Sequence, residues 1–205
     1  MTPSNRALIQ RAWAEAERRF VDHPRPTRPF RDRFQHTLRV LRWAQRLQQQ
    51  LGEGDLDVIT LAVLFHDVGW DDATPHQEVS AAVARGWLAE QGARPQLREA
   101  VVTAVQNHNQ RHLPEASVEE RIVMDADLLD ETGALGFVFD AMSVASSADP
   151  GYQQLLARSR HHYERVATDL QRVRTEAGRQ LLESRLAIYR NCIDELDHEL
   201  ERAAP

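Results

Sequence analysis

The chain contains no lysine; all 25 of its basic residues are arginine. This excludes Schiff-base chemistry, and it means that any permanently charged side chain meeting a phosphate is a guanidinium. Cysteine is nearly absent too. Cys192 stands alone, so an intrachain disulfide is excluded and a reducing cytoplasm is the expected compartment. It lies among Leu186, Ile188, Ile193 and Leu196 and is expected to be plain core. Aromatic residues make up only 6% of the chain, while Ala, Leu, Gln, Glu and Arg abound, a balance that favours helix over strand. The opening Met-Thr-Pro-Ser-Asn-Arg lacks the apolar core of a signal segment, and no run approaches the roughly 20 apolar residues of a membrane span. The net charge of −6 argues against a nucleic-acid polymer or an anionic membrane as partner.

What is present reads as an ordinary globular chain. With 205 residues, 42% hydrophobic and 27% charged, it can bury a core within one domain. Spacing and caps predict helices over 3–21 (with Ser4 or Asn5 as cap), 30–51, 55–66, 76–91, 95–109, 118–129 and 133–145. A further helical stretch over 152–202 carries a weak point near Gly178. His23–Pro29, with three prolines, reads as a loop. No useful period-2 segment occurs, so the expected class is all-α. The pair His161-His162 reads as solvated helix surface, since neighbours on a helix point in different directions.

One dipeptide resists a packing explanation. His66-Asp67 ends the apolar run Val58–Phe65, placing an imidazole and a carboxylate side by side at the end of a buried segment. Other helices send similar groups inward. Four residues before Val40, on the stripe Val40, Ala44, Leu47 and Leu51, comes His36. His108 follows the stripe Leu97, Val101, Ala104 and Val105, and His76 opens the stripe Val79, Val83 and Trp87. Asp127 stands four residues after Val123. No inward arginine is expected on these stripes, and unpaired buried imidazoles and carboxylates cost several kcal/mol apiece, so the cluster calls for a cation. Donors of His and Asp without Cys suit Mn²⁺, Fe²⁺, Mg²⁺, Ni²⁺ or Zn²⁺.

The order His36, His66-Asp67, Asp127 resembles the HD-domain superfamily of metal-dependent phosphohydrolases. The segments His36-Thr-Leu-Arg39-Val, Leu64–Gly69, His76–Ser80 and Asp125–Gly136 look like family segments in order, and Thr175–Arg179 with Ser184-Arg185 is similar to the last helix of small bacterial members acting on nucleotides. The resemblance implies a single-domain all-α bundle with residues 30–145 as metal-binding core. Residues 1–29 would belong to the same domain, and helices over 146–205 would pack on the core. It implies His36, His66, Asp67 and Asp127 as primary metal ligands, with Asp127 preferred to Asp125, and His76 and His108 as ligands of a second, weaker metal. Many relatives carry lysine after the His-Asp-x-Gly turn, where this chain has Trp70. Phosphate neutralisation then falls to Arg39 or Arg111, or to a second cation.

The expected activity is hydrolysis of a phosphoester or phosphoanhydride of a small molecule, a nucleotide on the family's pattern, by metal-activated water. Asp67 would bind metal and orient the nucleophile, Asp71 or Asp72 would act as general base, and Arg39 would contact phosphate. Two other readings stand beside it: an HD-type di-iron oxygenase, which the six-residue ligand pattern also resembles, and a non-catalytic metal- or ligand-binding regulatory module. The long C-terminal helix leaves a homodimer open.

Overall fold

Among the described residues every element is a helix. The computed structural model describes residues 3–23, 32–71 and 73–201, with only the backbone of Pro3 and Ser4. The loop expected at His23–Pro29 lies outside them from Pro24 onward, as does Asp72. The helices are α1 (Pro3–Asp22), α2 (Arg33–Leu51), α3 (Leu56–Phe65), α4 (His76–Glu90), α5 (Pro95–Asn107), α6 (Val118–Leu129), α7 (Gly133–Ala145), α8 (Tyr152–Asp169) and α9 (Glu176–Glu201). The chain divides into two compact units, 1–127 and 128–205. No helix among the described residues is long and apolar enough to cross a membrane.

The first unit is built around α3. This helix is apolar on all sides, so it can only be stable when surrounded. Every residue from Asp57 to Phe65 is buried, and α1, α2, α4 and α5 all contact it. Asp55 starts it, its carboxylate accepting from the backbone N–H of Asp57 at 2.8 Å. α2 begins at Asp32, whose side chain accepts from the Gln35 N–H, and ends at Gly52, whose φ of +68° is the left-handed cap that closes it. Its buried stripe runs His36, Val40, Ala44 and Leu47. α1 departs from expectation at its start. Asn5 lies inside the helix and does not cap it; its amide donates to the Asp57 carboxylate at 2.7 Å, pinning α1 to the start of α3.

α4 is rotated from the expected register. Its buried face is Ser80, Ala81, Ala84, Trp87 and Leu88, while Val79 and Val83 are only half-buried. Small residues won because the loop before α4 presses on it. A Cβ on Gly69 would lie 2.4 Å from the backbone nitrogen of Ser80, and the Gly69 N–H donates to the Ser80 hydroxyl at 2.9 Å. His76 still heads the buried face, through Ser80 and Ala84 at four-residue spacing.

In the second unit the break falls before Gly178, not at it. A 3-10 turn at Leu170–Arg172 ends α8, and Val173 is extended. Thr175 then accepts the Gly178 N–H at 3.0 Å, so Gly178 is a buried first-turn residue of α9. The stripe of α9 is Gly178, Leu182, Leu186, Tyr189 and Ile193; Ile188 is exposed and Cys192 only half-buried beside the stripe, not in the core. Arg185 donates to the hydroxyl and carbonyl of Thr132 at 2.7 and 2.6 Å, tying α9 to the start of α7. The surface reading of His161-His162 holds only for His161. His162 turns inward and its Nδ1 lies 2.9 Å from the fully buried carboxylate of Asp140, which also accepts from Arg158 and from the Tyr189 hydroxyl. A buried acid elsewhere in the fold thus draws His162 in, which a single-helix pattern cannot reveal.

Candidate metal centre

His66 and His108 are held by the same local device. Each is the capping residue at the end of its helix, α3 and α5, and each ring sets Nδ1 2.7 Å from the carbonyl three residues back, Val63 and Val105. A carbonyl can only accept, so Nδ1 carries the proton and Nε2 presents a lone pair inward. Those lone pairs face other imidazoles. His66 Nε2 lies 3.3 Å from His36 Nε2, and His108 Nε2 lies 3.2 Å from His76 Nε2. Two inward nitrogens at this distance need a proton or a cation between them.

Asp67 joins the two pairs. Its Oδ2 is 3.6 Å from both His36 Nε2 and His66 Nε2, while its Oδ1 is 3.4 Å from His76 Nε2. Asp127 completes the first group, with Oδ1 3.5 Å from His36 Nε2 and 3.9 Å from His66 Nε2. His36, His66 and Asp67 form one constellation able to hold a metal ion, and Asp67, His76 and His108 another. The donor chemistry fits a divalent cation of borderline hardness: imidazole nitrogens, carboxylate oxygens and no thiolate. All six sequence-derived candidates therefore meet in one place, drawn from α2, α3, α4, α5 and α6.

Electrostatics keep these groups in ligand form. Burial drives the His66 imidazole down to about 4, although the Asp67 carboxylate beside it pulls the other way, so the ring is neutral at pH 7. Burial would raise Asp67, but the neighbouring His66 ring and the Arg33 guanidinium outweigh it and hold the carboxyl well below its ordinary range. Asp127 is lowered in the same way, burial being outweighed by His66, His36 and His108, with Arg111 adding to them.

Arg33 corrects the expectation that no arginine shares these stripes, and Arg111 joins the cluster from outside them. Arg33, the first residue of α2, donates to Asp67 Oδ2, and Arg111 donates to Asp127 Oδ2 at 3.1 Å. Arg33 was findable, since it lies three residues before His36 and shares its face. Arg111 follows α5 in a loop, where periodicity gives no guidance. Arg39 is half-buried on α2, and Asp125 is buried on α6. Asp71 is exposed and its Oδ1 accepts from the N–H groups of Ala73, at 2.8 Å, and Thr74; these backbone bonds lower its pKa. Asn107 donates to Glu120 at 2.7 Å and Asn109 to Gln77 at 3.2 Å, bracing the loop around His108.

A family model for the HD domain matches residues 33–132. Among solved structures the chain is similar to an HD-superfamily hydrolase from Bacillus thuringiensis, with 22% identity over 96% of this chain and 98% of that one and a TM-score of 0.77. It is similar to Bacillus subtilis YpgQ in complex with ADP, at 19% identity, 96% of each chain and a TM-score of 0.72. It also resembles a predicted HD superfamily hydrolase from an uncultured Thermotogales bacterium, at 21% identity over 93% of this chain and 92% of that one, with a TM-score of 0.67. No curated protein matches it. The matched segment runs from the first residue of α2 to the residue before α7 and contains every histidine and carboxylate of the cluster, so residues 33–132 are an HD domain.

Proposed function

We propose that the protein is a metal-dependent phosphohydrolase that cleaves a phosphoester or phosphoanhydride of a small molecule, a nucleotide in the first instance. The observation that carries this reading is the sharing of Asp67 between two histidine pairs, one oxygen facing each. His36, His66, Asp67 and Asp127 would hold the primary cation, and His76 and His108, with Asp67, a weaker second one. When bound, a divalent cation supplies Lewis acidity toward a phosphoryl oxygen and toward water. The surrounding residues supply the rest. Arg33 and Arg111 bring permanent positive charge to the two carboxylates, where a phosphate would approach, and Arg39 adds a third guanidinium on the helix of His36. Asp71 and Asp72 follow the His-Asp turn and are the candidates to take the proton; Asp71 commits Oδ1 to backbone, so that role falls to its Oδ2. A nucleotide substrate is supported by the similar Bacillus subtilis YpgQ, which forms a complex with ADP.

The test is metal analysis of the purified protein followed by phosphate release from nucleotides, sugar phosphates and pyrophosphate with Mn²⁺, Mg²⁺, Fe²⁺, Ni²⁺ or Zn²⁺. Release that needs metal and vanishes in Asp67→Ala is the expected result. No release under any of these conditions would sink the reading. Oxygen consumption by iron-loaded protein with a mixed-valence signal would instead assign the di-iron oxygenase, and metal or ligand binding without turnover the regulatory module.

A further inference from the structure

We propose that Trp70 is a stacking platform for the planar ring of the substrate, so that the site selects a nucleobase-bearing phosphate over a bare one. This deepens the phosphohydrolase reading and rests on it for the phosphate half of the substrate. Three of the four tryptophans have ring or guanidinium neighbours other than the site histidines: Trp13 meets Phe34 edge-on at 6.0 Å, Trp87 lies 5.2 Å from Phe65, and Trp43 sits beneath Arg46 at 5.8 Å. Trp70 is 52% exposed. An exposed indole is ordinary on a protein surface. This one is set apart by where it stands and by how firmly its backbone is held.

Trp70 directly follows Gly69, and Gly69 is locked against the first turn of α4 by its bond to the Ser80 hydroxyl and by an approach too close for any side chain. The indole therefore starts from a fixed point, three residues after Asp67. Its ring centroid lies 6.3 Å from that of His76, with the planes only 31° apart. His76 is in turn 3.4 Å from Asp67 and 3.2 Å from His108, and its side chain is 27% exposed, against 4% or less for His36 and His66. Trp70 thus stands beside His76, which is more exposed than His36 or His66, at the edge of the metal centre. An aromatic face there accepts any base, because stacking uses the π-surface and not the base edges. Purines, with the larger ring, should stack best. Because the chain has no lysine, the permanently charged side chains near a bound phosphate are the arginines beside Asp67 and Asp127, and Trp70 adds recognition of the other end of the molecule.

Two measurements test this. Steady-state kinetics compare ATP with inorganic triphosphate, which offers the same anhydride without a ring, for the wild type, Trp70→Ala and Trp70→Phe. The preference for ATP, as the ratio of kcat/KM values, should fall about tenfold to a hundredfold in Trp70→Ala, with most of it restored in Trp70→Phe. Equal losses on both substrates, or no loss, would overturn the proposal. AMP titration followed by tryptophan fluorescence serves independently of turnover: quenching and tight binding should be lost in Trp70→Ala, while tight binding is kept in Trp70→Phe. If the wild type hydrolyses neither anhydride, the wider substrate panel decides on the phosphohydrolase reading while the titration decides on Trp70. An AMP affinity unchanged by Trp70→Ala would end the inference whatever the catalytic result.

Discussion

Replacing Gly69 by alanine tests how the metal centre is braced. The added Cβ would lie 2.4 Å from Ser80 N, 2.6 Å from the Val79 carbonyl carbon and 2.8 Å from Val79 Cγ1. The two nearest atoms are backbone in the first turn of α4, held by the Glu78 and Val79 N–H groups on the Pro75 carbonyl. They cannot yield without shifting the start of the helix that carries His76. Overpacking of this kind costs about 1–3 kcal/mol, and contact with backbone puts the case at the upper end. Alanine returns roughly 0.4–1 kcal/mol by restricting the unfolded chain. The net should be a loss of about 2 kcal/mol, or a fall in Tm of roughly 4–8 °C for a chain of this size. Gly86→Ala is the control, because it lies within the same helix with nothing within 4 Å of its added Cβ. There alanine should stabilise by up to about 1 kcal/mol. Thermal melts of the two variants, with circular dichroism as readout, should move in opposite directions. Gly69→Ala melting at or above the wild type would show that the loop and α4 are not pressed together, and the positioning of His76 would lose its explanation.

Asp127→Asn should abolish phosphate release while Asp125→Asn is milder, since Asp127 Oδ1 lies 3.5 Å from His36 Nε2; the reverse order in a rate assay would place the ligand one half-turn away. Calorimetric titration of the metal-free protein should show two binding events, with His108→Ala removing only the weaker; one event insensitive to that change would leave His76 and His108 as pocket residues. In the second unit, burial would raise the Asp140 carboxyl, but hydrogen bonds from His162 and Tyr189 leave it lowered. A lowered folded-state pKa contributes stability that is complete above the ordinary carboxylate range and is lost as pH falls through the folded value. Denaturant melts between pH 7 and pH 3 should therefore show Asp140→Asn weaker at pH 7 by about 1–3 kcal/mol and less sensitive to acid; parallel curves would remove the carboxylate from the account.

The helices and the six inward groups were legible because both depend on local rules. Apolar spacing marked α2, α3 and α5, Asp55 and Gly52 marked ends, and a histidine or aspartate in step with a buried stripe has to enter the core. The side-by-side His66 and Asp67 at the end of an all-apolar helix carried the strongest signal, since the chain has no other way to place two polar groups there. Tertiary structure decided what those rules do not reach. The register of α4 came from Gly69 pressing on Ser80, a contact across eleven residues. Asn5 became a tether to Asp57 and not a cap, and His162 turned inward because Asp140 waits there, each a pairing whose partner lies elsewhere in the chain. Arg111 reaches Asp127 from a loop, where side-chain direction has no period to read. The sharing of Asp67 between two histidine pairs was likewise invisible in one dimension. Periodicity reports which face of a helix a residue occupies, but only the packing of several helices determines which atoms of those faces meet.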